Sequence, residues 1–188
     1  WVNRFYNNPF PEKEVTRIQV MVRHDDQYYG RVHERLTFKV NTVLGSDEPL
    51  LTVIHAKSVR ILNNSFLRVN IAGGFGGTSE IKGNVFWNPA NDWPNYAISA
   101  PAPGLSQGNY FQNSSKQATG GINNDLNVVG GDPGFVDAAA GNYALKPDSR
   151  LKDKGPAEAQ FNDHDGSRND VGHFGGHMYD VNGSTSVN

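Results

Sequence analysis

Apolar positions along this chain come in short runs, and the residue that recurs between the runs is asparagine, with no helical spacing of polar positions. Aligned on asparagine, the segments Asn3-Arg4-Phe5, Asn41-Thr42-Val43, Asn64-Ser65-Phe66, Asn84-Val85-Phe86 and Asn109-Tyr110-Phe111 share one pattern: asparagine, any residue, then a large apolar side chain. Phe38, Ile61 and Ile81 stand three residues before it, and Ser106 breaks that row. From Asn41 onward the steps are 23, 20 and 25 residues. A second apolar segment lies upstream of each later asparagine: Leu50-Leu51-Thr52-Val53-Ile54, Val69-Asn70-Ile71-Ala72 and Tyr96-Ala97-Ile98.

Several short strands per repeat leave few architectures. A leucine-rich repeat needs its leucine spacing, and a WD-type blade needs about 40 residues or more. The pattern predicts an all-β chain wound as a parallel β-helix, in which no turn buries its apolar face alone. Turns then stack at about 4.8 Å, and the Phe and Ile positions form inward columns. Asparagine at one corner has a mechanical reason: its side chain tolerates a bend, and its amide bonds the asparagines above and below. The competing reading makes Asn-x-Phe a strand-edge tripeptide of a β-sandwich; five aligned copies, three with a matching upstream strand, favour the coil.

Asn3 and Asn41 are 38 residues apart, too far for one coil, so an insertion is expected between them. Pro9-Phe10-Pro11-Glu12 opens a turn, the stretch from Arg17 to Arg23 alternates as a half-exposed strand should, and His24 to Arg31 is a polar, aromatic loop. The chain thus divides into coils over 1–118 with the insertion at about 8–35, a C-terminal cap of the same domain over 119–178, and a flexible end at 179–188.

Composition narrows the function classes. The 188 residues carry a net charge of -2, which gives no reason to expect nucleic acid as a partner. The charge is uneven: residues 1–68 hold 10 Lys/Arg against 7 Asp/Glu, and residues 69–188 hold 7 against 12. Cysteine is absent, which excludes disulfides and thiolate metal sites. No apolar run is long enough to span a membrane, and Trp1-Val2-Asn3-Arg4 has neither the basic flank nor the apolar run of a signal peptide; a mature chain, or one cut from something longer, is expected.

From Thr119 a different text begins: Asp132-Pro133-Gly134-Phe135-Val136-Asp137, then Gly141-Asn142-Tyr143-Ala144-Leu145, Asp153-Lys154-Gly155, Asp163-His164-Asp165-Gly166 and Asp170-Val171-Gly172-His173-Phe174. This succession resembles the C-terminal cap of secreted bacterial right-handed parallel β-helix proteins of the pectate lyase-like superfamily. His173 departs from the alanine usual there, and Lys154 from the alanine of an Asp-Ala-Gly turn. The resemblance implies a right-handed helix, a cap lying across the last coil, location outside the cell or on its surface, and a polysaccharide as partner, bound and cleaved by lyase or glycosidase chemistry. Since such proteins have an N-terminal cap, a preceding chain of the same protein or another subunit is expected at the open end. The alternative is a non-enzymatic structural or adhesive solenoid that assembles through that end.

Two clusters carry the candidate chemistry. Arg23, His24, Asp25, Arg31, His33 and Arg35, with Asp26 adjacent and Tyr28 and Tyr29 beside them, form the densest titratable and aromatic set of the chain, in and beside the insertion loop. Lyase chemistry needs a base and cations for an enolate-like charge, and glycosidase chemistry needs paired carboxylates. His24, Asp25 and Asp26 are the catalytic candidates, with Arg23, Tyr28, Tyr29 and Arg31 as substrate contacts. Adjacent Asp25 and Asp26 point to opposite faces of an extended segment, so neither pairs with the other. A second row of substrate contacts is His55, Lys57, Arg60 and Arg68. Asp163, Asp165 and Asp170 offer oxygen ligands at loop spacing, which makes calcium conceivable, with Asx-turns and an ion pair to Arg168 the plainer use; no other cofactor is expected. His173 and His177 lack a helix to align them on a metal. Gly73-Gly74-Phe75-Gly76-Gly77 reads as a flexible turn, and Trp87, Trp93, Tyr96 and Tyr110, in or near loops, as core or loop packing ahead of sugar platforms.

Overall fold

The computed structural model describes residues 20–22, 36–39, 42–44, 49–56, 58–68, 70–75, 79–88, 98–99, 105–112 and 124–176. Strands β1 (Val20–Val22), β2 (Leu36–Lys39), β3 (Thr42–Leu44), β4 (Pro49–Ala56), β5 (Val59–Leu62), β6 (Ser65–Leu67), β7 (Asn70–Phe75), β8 (Glu80–Lys82), β9 (Val85–Trp87), β10 (Ile98–Ser99), β11 (Leu105–Gln107), β12 (Tyr110–Phe111) and β13 (Val128–Val129) are dealt out to three parallel sheets. The first holds β1, β4, β7 and β10; the second β2, β5, β8 and β11; the third β3, β6, β9, β12 and β13. Each pass of the chain therefore lays one strand on each sheet. Among the described residues there is no α-helix, and none is long and apolar enough to cross a membrane.

Register turns the sequence pattern into columns. Val43, Phe66, Phe86, Phe111 and Val129 are successive partners on the third sheet. Phe38, Ile61, Ile81 and Ser106 are partners on the second, and Leu51, Ile71 and Ile98 on the first. Phe66, Phe86, Phe111, Ile61, Ile81, Ile71 and Ile98 are fully buried. The rings of Phe66 and Phe86 are 5.1 Å apart and those of Phe86 and Phe111 5.0 Å, within 10° and 6° of parallel. The column makes an apolar stack that no single pass can bury.

At the corner between the second and third sheets the asparagines bond one another in series. Asn64 Nδ2 donates to Asn84 Oδ1 (2.9 Å), Asn84 Nδ2 to Asn109 Oδ1 (2.9 Å), and Asn109 Nδ2 to Asn127 Oδ1 (3.1 Å). Each accepting oxygen also takes the backbone N–H of the preceding asparagine, at 3.0, 2.9 and 3.0 Å. Ser106, the break in the apolar row, has a use here: its hydroxyl accepts from Asn109 Nδ2 at 3.1 Å. Two expectations change. The left-handed residue of the bend is the one before the asparagine, namely Asn63 (φ 51), Gly83 (φ 69) and Gly108 (φ 63). And the series runs one rung past Asn109, to Asn127 and β13.

The segment read as an insertion is also reassigned in part. Val20, Met21 and Val22 pair in parallel with Leu51, Thr52 and Val53, so β1 is the first-sheet strand of its own pass.

The C-terminal segment does not simply lie across the last pass. A hairpin of β14 (Phe135–Asp137) and β15 (Asn142–Leu145) sets Phe135, with Tyr143 and Leu145, against the outer face of the third sheet, where Leu67, Val85 and Tyr110 are buried and Trp87 and Val128 partly so. Leu151 and Val171 complete that second apolar layer. Trp87 meets Phe135 edge to face at 5.3 Å. The chain then climbs the asparagine corner in reverse order of the passes. Gly155 and Pro156 lie against Gly108, where an added Cβ would stand 2.5 Å from their backbone. Gly172 N–H donates to Gly83 O at 2.7 Å, and Asn63 Nδ2 donates to Gly175 O at 2.7 Å.

Asn84→Ala removes a buried amide that serves both neighbouring passes, leaving several donors and acceptors unpaired; since each such group costs about 1–3 kcal/mol, a loss of about 3–5 kcal/mol is expected in urea denaturation. A loss below about 1 kcal/mol would show that the ladder contributes little.

Candidate functional site

The connections from first to second sheet differ in length from pass to pass. They comprise residues 23–35 between β1 and β2, 57–58 between β4 and β5, 76–79 between β7 and β8, and 100–104 between β10 and β11. Since the flanking strands are neighbours on the same two sheets, these four connections belong to one corner. Arg23, His24, Asp25, Asp26, Tyr28, Tyr29 and Arg31 fall in the first of them and Lys57 in the second; all eight lie outside the described residues. His55 is in β4, next to last before that corner, and Arg60 is second in β5, just after it. Of the second cluster, His55 and Arg60 thus stand on strand ends that the first-to-second-sheet connection joins. Arg68 does not: it follows β6 of the third sheet, in a left-handed conformation (φ 57), and its N–H donates to Trp87 O at 2.8 Å.

The described chemistry of the corner starts from register. Ser79 Oγ accepts the N–H of Val59 at 3.1 Å, tying the connection of the third pass to the strand start of the second. One residue on, Arg60 Nε donates to Glu80 Oε2 at 2.7 Å. Glu80 Oε1 is 3.4 Å from Lys82 Nζ, which reaches Glu158 Oε1 of the C-terminal segment at 2.6 Å and sits 5.3 Å over the Phe161 ring. The result is a row of alternating sign, partly open at Arg60 and Glu80 and closed at Lys82, whose side chain is 3% exposed. Burial pushes the Glu80 carboxyl up, but the Arg60 hydrogen bond and the charges of Lys82 and Arg60 outweigh it and hold its pKa below the ordinary value. Glu158 is held low in the same way, against burial, by Lys82. Both are carboxylates at neutral pH, able to accept hydrogen bonds and not to donate a proton. Glu80 and Lys82 were not singled out from the sequence, yet the 20-residue step from Asn64 to Asn84 sets Glu80 opposite Arg60.

The acidic loop is used internally. Asp163 accepts the N–H groups of Asp170 and Gly176, Asp165 Oδ1 accepts Ser167 N and Oγ at 2.9 and 2.6 Å, and Asp170 Oδ1 accepts Asp153 N at 2.9 Å. Burial, with neighbouring carboxylates, raises Asp163 and Asp170 despite those bonds. Arg168 donates to Gly155 O from Nε (3.0 Å) and Nη2 (2.6 Å), so the expected ion pair is replaced by a carbonyl contact. Among the described residues no three His, Cys, Asp or Glu converge as metal ligands. His177 lies outside the described residues, while His173 is buried against Ser65.

One other sequence reading is corrected, and the packing role expected of Trp87 and Tyr110 is found, on strands and not in loops. Gly73, Gly74 and Phe75 belong to strand β7, not to a turn. Trp87 and Tyr110 are strand residues of the third sheet that pack under the C-terminal hairpin; burial pushes the Tyr110 hydroxyl up to about 12, and it donates to Gly131 O. No protein-family model matches the chain, and no curated protein or solved structure is significantly similar to it.

Glu80→Gln tests the row. A folded pKa below the ordinary 4.5 means stability that is present above 4.5 and lost as pH falls through the folded value. With Arg60 and Glu80 about a third exposed, screening limits the pair to about 1 kcal/mol or less at pH 7. The difference from wild type in urea midpoint should vanish in strong acid, and a difference that persists there means the carboxylate charge is not the cause.

Proposed function

We propose that the chain is the C-terminal part of a secreted right-handed parallel β-helix protein of the pectate lyase-like kind, and that it binds a polysaccharide along the corner between its first and second sheets. The rotation of strands over three parallel sheets supports the helix, and its right hand follows from the strong preference of parallel crossover connections. What supports the functional reading is chain order: the connection that holds the first cluster and the strand ends that hold His55 and Arg60 join the same two sheets, and those connections vary in length. Variable connections on a regular scaffold are where binding surfaces grow.

In this reading Tyr28 and Tyr29 stack on sugar rings, and Arg23, Arg31, His55, Lys57 and Arg60 supply donors to hydroxyl or carboxylate groups. Cleavage falls to His24, Asp25 and Asp26 of the same connection. The outer side of the third sheet is covered by the C-terminal hairpin.

The test is binding and turnover on polygalacturonate and on a soluble neutral β-glucan, with product mass separating an unsaturated lyase product from a hydrolase product that has gained water. Alanine at Arg23, His24, Asp25 or Tyr28 is expected to lower binding or turnover at least about tenfold, the effect of losing about 1.4 kcal/mol of contact. Lys152→Ala, on the exposed C-terminal segment, should leave both unchanged. Full binding and activity in all four corner variants removes the corner from the mechanism, and failure of the unmodified chain to bind either glycan while associating with a second polypeptide carries the structural, adhesive reading instead.

A further inference from the structure

The C-terminal segment ends its climb at the second pass on one contact with unusual chemistry. Ser65 Oγ accepts the backbone N–H of His173 at 3.2 Å and lies 2.8 Å from His173 Nδ1. Both residues are buried, Ser65 at 1% and His173 at 7% exposure. A hydroxyl has a single hydrogen. With the backbone N–H on one lone pair, Oγ can give that hydrogen to an unprotonated Nδ1, whereas a protonated Nδ1 would take the second lone pair and leave the hydrogen without this acceptor. The neighbouring chain leaves little slack, since a side chain at Gly172 would stand 3.0 Å from Ser65 Oγ and 3.1 Å from Val85. An imidazolium would turn Nδ1 into a second donor aimed at the same oxygen and place a charge in this seam.

We propose that the His173–Ser65 contact is an acid-released latch: protonation of the imidazole frees residues 169–176 from the corner of the second pass and uncovers the apolar outer face at Leu67 and Val85. Val171, within the freed stretch, packs in the cluster that contains both side chains. The inference is independent of the glycan reading.

Among the described residues, the charged and titratable groups along this seam are Asp163, which accepts Gly176 N–H; Asp170, whose carbonyl a side chain at Gly175 would strike; the Lys82–Glu158 pair one pass further on; and Arg68 beyond the end of β6. The ring itself meets the uncharged Ser65 hydroxyl and the Phe174 ring, 3.9 Å away between centroids. Burial holds the imidazole pKa down, to about 4 from 6.5. The sign follows: between these values the released form binds the extra proton, so docking is strongest above pH 6.5 and weakens as pH falls toward 4. Asp163 and Asp170, with raised values, act in the opposite sense, since their protonation relieves burial of charge. Glu158, held low, is lost only below the ordinary carboxylate range.

Hydrogen exchange of the full chain, corrected for intrinsic rates, tests this through the amides of Gly172, His173, Gly175 and Gly176. Their protection is expected to be flat above pH 6.5 and to fall about tenfold per pH unit below it, while the Lys146 amide, bonded to Gly134 O in the hairpin, keeps its protection. His173→Asn presents an amide oxygen to the Ser65 hydroxyl and cannot titrate, so its protection should not change over the same range. Wild-type protection that stays flat to pH 4.5, or an equal fall in His173→Asn, overturns the latch. Direct titration of the His173 ring by NMR in the unmodified chain is a second, variant-free measurement: a midpoint near the ordinary 6.5 overturns the proposal, and one well below it supports it.

Discussion

The structure depends on the pairing of buried side-chain amides at one corner. Asn64, Asn84 and Asn109 are completely buried, and an amide in that position is tolerable only when its oxygen and nitrogen are all bonded. Asn84 and Asn109 meet that need between passes: each oxygen takes two N–H groups of the asparagine before it, and each nitrogen reaches the oxygen of the one after. A slip of one residue in any pass would leave a rung unpaired and turn its phenylalanine outward. The polar corner and the apolar column thus enforce the same register, and the nearly parallel stacking of Phe66, Phe86 and Phe111 is its consequence.

A second constraint follows from the third sheet's other face. Strand alternation that sends Phe66, Phe86 and Phe111 inward sends Leu67, Val85 and Tyr110 outward, and these too are apolar. They require a cover, and the C-terminal segment provides it. Its route up the corner is set by small residues on both chains: Gly108 lets Gly155 and Pro156 approach, and Gly83, already in a left-handed conformation, accepts Gly172 through its carbonyl. Asn63 takes the same conformation in the pass above without being glycine, and its side chain donates to Gly175 O. The tail is therefore packed closely against the passes, with Lys82–Glu158, Asn63–Gly175 and Ser65–His173 among its polar attachments.

Legibility in the sequence divides along these lines. The asparagine steps specify the columns and the three-strand pass, because a stacked repeat writes its period directly into residue spacing. Asn127 escaped because a 3-10 turn, Asn124–Leu126, stands where a second-sheet strand precedes the earlier asparagines. The strand Val20–Val22 looked like part of an insertion because no asparagine at the usual distance follows it. Arg60 opposite Glu80 was available from the 20-residue step, but only by reading register across passes and not residues along one. The path of the tail had no local signature: it follows from which glycines admit a close backbone, a property of the assembled corner.

The same mechanics locate the variable side of the molecule. Between second and third sheets the connection is two residues in each of the first four passes, 40–41, 63–64, 83–84 and 108–109, as the ladder requires. Between first and second sheets it runs to 13, 2, 4 and 5 residues. An added residue at the ladder corner would break rungs above and below, whereas one at the opposite corner lengthens a connection and leaves every buried amide paired. The fold varies its surface where it does not count its residues: at the edge to which the proposed sugar contacts are assigned, and at the third-to-first-sheet corner, where the connections run to 4, 2 and 10 residues.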